Sequence, residues 1–147
     1  MELPVRQRPL GVEPAIVLTD AQARTLRALQ DYDLTPVRDR LLRDAAMPAG
    51  WVDEAILEFR RYLGLRVLEP ERLLMFSKPV DNVWHTCLLF SRLYADLCQQ
   101  AFGAFMHHEP ATAPEPDLDG RWTAFRTAYE RNYGPLNRLW RGPSDHD

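Results

Sequence analysis

The groups in this 147-residue chain that could bind a metal ion or move a proton near neutral pH are four histidines, two cysteines and scattered carboxylates. Asp81 and His85 stand four apart in the run Val80-Asp81-Asn82-Val83-Trp84-His85. On a helix that spacing puts both on one face, where the carboxylate can bond one imidazole nitrogen, fix the tautomer and leave the other nitrogen free. The free nitrogen can ligate a metal, accept a proton or bond a nearby carbonyl. Read as structure alone, Asp81 is a helix cap and His85 a satisfied, partly buried ring. His107 and His108 are a second candidate, one ring able to face a metal while the other meets solvent; both equally suit a surface turn. Cys98 with His107 or His108 and one carboxylate would make a zinc-like set, although the paired spacing of zinc motifs is missing. As packing, Cys98 is a small core residue. Trp84 and Tyr94 flank these groups as binding residues or as core, and with Phe102 they could line a small-molecule pocket.

Zinc is the expected ion if thiolate takes part, and a harder or redox-active ion if only imidazole and carboxylate do. Glycine-rich phosphate loops, a Gly-x-Ser-x-Gly elbow and His-Glu-x-x-His are all absent. A net charge of −3 argues against a general nucleic-acid or anionic-membrane binder, and leaves another protein as the expected kind of partner. No apolar run approaches the roughly 20 residues that span a bilayer, and the N-terminus lacks a signal-peptide core, so a soluble, cytoplasmic protein is expected. Cys87 and Cys98 fall in one expected helix, about 16 Å apart by rise, and so should be unpaired core thiols.

The elements that must position these groups are helical. Residues 1–17 read as an extended, proline-bearing arm, 18–141 as a single domain, and 142–147 as a loose tail. Thr19 to Gln22 has the form of a capping box ahead of a helix carrying Leu26 and Leu29. Thr35-Pro36 starts a second helix. A third runs from about Gly50 to Leu63, with Gly64 as its left-handed stop. From Val80 to about Gln100 there is neither glycine nor proline, and apolar residues cover much of the circumference. That predicts a long central helix over 80–101, capped by Ser77 or by Asp81. Residues 109–120 read as an exposed loop, and a last helix from about Gly120 ends at Gly134-Pro135. The expected fold is all-α, with five to six helices around the long one.

Phe59 to Leu65, the Val-Asp-x-x-Trp-His element, Tyr94, Cys98, Phe102-Gly103 and His107-His108-Glu109-Pro110 together resemble the short bacterial relatives of the glycine-rich domain-containing proteins. The family's second histidine is Cys87 here, and its Asp-Thr pair is Phe90-Ser91. The resemblance implies carry-over at Asp81, Trp84, His85, Tyr94, Cys98, Gly103, His107 and His108, and brings no established reaction with it.

Two readings remain open. In one, the chain is an interaction or regulatory module with Asp81, Trp84, His85 and the double histidine as structural anchors. In the other it binds a metal through His85 and Asp81, or through Cys98, His107 and His108. A straight helix from His85 to Ala101 covers about 24 Å, so the two groups are expected to form separate sites unless the chain after Gly103 runs directly back.

Overall fold

Thr19 opens α1 (Asp20–Asp31) with a reciprocal pair of bonds: Gln22 N donates to Thr19 Oγ1 at 3.0 Å, and Thr19 N donates to Gln22 Oε1 at 2.9 Å. Two of the N–H groups that every helix start leaves unpaired are satisfied in this way. The helix α2 (Thr35–Arg43) begins one residue earlier than the proline pattern implies, because Asp33 Oδ1 accepts from Thr35 N at 2.9 Å. Then come α3 (Val52–Leu68), α4 (Lys78–Leu89), α5 (Ser91–Phe102) and α6 (Leu118–Tyr133). In the computed structural model the described residues are 8–108 and 113–143; the start of the arm, part of the proline-rich loop and the last four residues of the tail lie outside them. Among the described residues the fold is all-α, with no strand, and no helix is long and apolar enough to cross a membrane.

The centre of the packing is α3, which contacts α1, α2, α4 and α6 and buries Ala55, Ile56, Phe59, Tyr62, Leu63 and Leu65. The expected stop at Gly64 does not occur, and the helix continues through it to Leu68. Gly64 is a packing residue instead. A β-carbon there would lie 2.6 Å from Tyr133 Oη and 2.9 Å from Leu26 Cδ2, so only glycine lets α1 and α6 approach so closely. Leu10 and Val12 of the N-terminal arm are buried, with Leu10 N bonded to Gln30 and Leu10 O to Arg61.

The expected long rod is broken. Phe90 (φ −93°, ψ 67°) ends α4, and α5 starts at Ser91. Trp84 Nε1 donates to Tyr94 Oη at 3.0 Å, although ten residues of unbroken helix would separate those positions by about 15 Å. No glycine or proline causes the break. Tertiary contacts hold it: Tyr32 Oη, just past the end of α1, reaches Leu93 O at 3.2 Å and Asp96 at 2.8 Å, and Thr25 Oγ1 of α1 donates to Ala101 O at 2.7 Å. Folding α5 back onto α1 buries Trp84, Tyr94, Cys87, Leu97 and Cys98 together, which a straight helix could not do. Both cysteines are free and buried, and the rise that separates them on a rod does not apply across the break. Burial pushes the Cys87 thiol up to about 12.

Candidate metal centre

Ser77 caps α4, with its Oγ accepting from Val80 N at 3.2 Å, and Pro79 sits in the first turn where its missing N–H leaves nothing unpaired. That registers Asp81 in the first turn, where the helix dipole favours a carboxylate. His85 follows one turn later, with Nε2 at 3.4 Å from Asp81 Oδ2.

His108 reaches the same place from the far end of α5. Gly103, in the left-handed conformation (φ 71°), ends that helix and reverses the chain. Three buried side chains then hold the returning segment. Cys98 Sγ accepts from Met106 N at 3.5 Å, and Tyr94 Oη donates to Met106 O while accepting from Trp84. The Trp84 indole stacks on the His108 ring at 4.1 Å and 24°. Burial raises the Tyr94 phenol well above its ordinary value, so it stays protonated and keeps donating.

His85 and His108 therefore share one site, and the expectation of two separate sites fails because the rod it rests on is broken. Their Nε2 atoms are 2.9 Å apart, and His108 Nε2 is 3.2 Å from Asp81 Oδ1. The Cys98–His107–His108 grouping does not assemble: Cys98 is turned to Met106 N, and His107 is exposed with its ring against Phe105. Of the eight positions that carry the family resemblance, the structure joins seven in one unit and leaves His107 outside it.

Two nitrogens each about 2.0–2.1 Å from a metal, at octahedral to tetrahedral angles, lie roughly 2.9–3.4 Å apart. The two Nε2 atoms are at that spacing, while the rings approach different oxygens of Asp81; taking one ligand atom from each residue, the three lie within 4.8 Å of one another. Which ring donates across the 2.9 Å contact depends on the tautomer of each imidazole. Asp81 Oδ1 is buried and accepts no hydrogen bond. A cation held among these atoms would give it a partner. Desolvation holds the His108 imidazole below its ordinary value, with His85, Arg66 and Arg72 adding to the effect and Asp81 opposing it. The neutral ring keeps a lone pair to give.

The triad opens onto a cavity of about 870 Å³ between α3, α4 and the start of α6. Its volume is that of a small-molecule site.

A family model described as UCP032817-like matches residues 24–132. The chain belongs to that family. No curated protein and no solved structure matches it. All three members of the triad, with Trp84, Tyr94 and Cys98 behind them, lie within the UCP032817-like stretch, whereas Leu10 and Trp140 lie outside it.

Arg66, Arg72 and Arg121, which line the cavity, escape a reading of the sequence because they are far apart in the chain and carry no motif. Glu58 was more legible. It is a lone charge in the stripe Ala55-Glu58-Tyr62-Leu65, every member of which is buried.

Proposed function

We propose that this is a metal-binding protein, a metal-dependent enzyme in its most economical form, with one divalent ion held by Asp81, His85 and His108. The observation that carries the reading is the convergence of three potential ligand side chains at a point where Asp81 Oδ1 is buried and accepts no hydrogen bond. Two imidazoles and a carboxylate with no thiolate suit a harder or redox-active ion such as Fe²⁺ or Mn²⁺ as well as Zn²⁺, and zinc, being redox-inert, is the simplest ion to add first in a binding test. A structural zinc site closes with four protein ligands, whereas three ligands leave positions for water and substrate. An ion so held polarises a bound oxygen and makes bound water acidic near neutral pH. Trp84, Tyr94 and Cys98 would act as positioning residues that fix the His108 loop. The resemblance to glycine-rich domain-containing relatives belongs to the same proposal, because the residues that carry it build this unit.

Elemental analysis of freshly purified protein tests the reading. A near-stoichiometric divalent metal, removed by chelator, is expected. Adding zinc at about 100 times Kd should then raise the melting temperature by roughly 5–10 °C. Absence of metal at neutral pH together with no thermal response to zinc, iron or manganese would end it.

An interaction or regulatory module is the second reading. It is favoured by two exposed apolar side chains, Leu89 one turn beyond His85 and Phe105 on the loop that carries His108. Under it, a partner protein covers these residues, His85→Ala lowers the melting temperature, and metal content stays near zero.

A further inference from the structure

Three arginines, Arg66, Arg72 and Arg121, line the cavity beside the triad in a protein whose net charge is −3. Two carboxylates, Asp81 and Glu115, share that lining, and Glu71 and Asp117 line an adjoining recess with Arg72 and Arg121. Among the described residues, none of the three arginines has a carboxylate within ion-pair distance, although arginines elsewhere on the surface, such as Arg38, Arg131 and Arg138, are paired. Arg66 is spread over the rings of Tyr62 and Trp84, at 6.0 and 5.9 Å, which fixes its stem beside His108. Guanidinium forks match carboxylate and phosphate oxygens two at a time, and a concave wall concentrates their field. The rest of the wall is apolar, from Leu73, Met75, Phe76 and Trp84.

We infer that this cavity binds a small organic anion, a carboxylate or phosphate ester with an apolar body. The arginines hold the charged group, and the remainder of the molecule lies toward Asp81, His85 and His108. That the anion is a substrate rests on the metal reading; that it binds does not.

Titration calorimetry with benzoate, phenyl phosphate and the neutral benzamide tests the inference, run on zinc-loaded and on chelator-treated protein. Arg72 and Arg121 are exposed, so the R72Q/R121Q double variant is expected to fold and to keep the metal content and melting temperature of the parent. One or both anions should bind, at least about tenfold more tightly than benzamide, and the double variant should lose that margin. The affinity should also fall as salt rises. Preference for benzoate over phenyl phosphate, or the reverse, identifies the anion class. Arginine-dependent binding that ignores zinc supports the anion site while counting against the metal centre. Equal binding of benzamide and the anions, unchanged anion affinity in the double variant, or no binding of either anion in both forms of the protein overturns the inference.

Discussion

Two polar clusters sit in this fold, and they are built on opposite plans. At the junction of α3, α6 and the C-terminal turn, Glu58 is wholly buried, yet its carboxylate is fully engaged. Oε1 accepts from Tyr129 Oη at 2.5 Å and from Trp140 Nε1 at 2.8 Å, and Oε2 accepts from Arg61 Nη1 at 3.0 Å. Arg61 in turn donates to Leu10 O at 2.9 Å and to Tyr129 Oη at 3.2 Å. Every edge of that network pairs a donor with an acceptor, and it ties the arm, two helices and the chain end together. Burial and the Glu58 carboxylate raise the Tyr129 phenol, which keeps its proton in place. The Asp81–His85–His108 cluster also gathers ionisable side chains, but at the edge of a cavity and with Asp81 Oδ1 accepting no hydrogen bond. Closed networks hold folds together, whereas an incompletely bonded cluster at a cavity edge is suited to something that arrives from outside.

The sharpest way to break the comparison is to exchange the roles. Glu58→Gln leaves the Arg61 charge without its partner and should lower unfolding free energy by about 3 kcal/mol in denaturant titration, with metal content of the folded protein unchanged. A comparable loss of metal would mean that the two clusters are coupled. Asp81→Asn should do the reverse. Metal affinity should fall by more than the roughly 10–100-fold typical of an outer-shell change, while the metal-free protein keeps its melting temperature, because Asp81 Oδ1 accepts no hydrogen bond that the change would remove. Tyr94→Phe lies between these cases. It strands Trp84 Nε1 and Met106 O, so stability should drop by about 1–3 kcal/mol and metal affinity should weaken as the His108 loop loosens. A Tyr94→Phe protein that is destabilised yet binds metal unchanged would remove Tyr94 from the positioning role. The smallest effect is expected at the cysteines. Cys87 and Cys98 are buried, so a thiol reagent at pH 8 should leave both unmodified until the protein unfolds.

Much of this fold is readable from local signals. The Thr19–Gln22 capping box, the Ser77 start and the Gly134-Pro135 stop all act over one turn of chain, and each occurs where the residues imply. The Asp81–His85 pairing is local in the same sense. Gly64 misleads because its purpose is tertiary: its missing side chain makes room for Tyr133 and Leu26 rather than ending a helix. The break at Phe90 leaves no local mark either. It is imposed by α1 gripping α5, and everything nonlocal about the site follows from it, including His108 beside His85 and Trp84 against Tyr94. A glycine- and proline-free run cannot report a bend that other helices enforce.

The central claim is that Asp81, His85 and His108 are three ligands of one ion. The zinc-dependent rise in melting temperature, measured side by side on chelator-treated wild type and His108→Ala, tests it most directly. A rise of several degrees in the wild type that disappears in the variant is the predicted result. An equal rise in both proteins, or none in the wild type, contradicts it.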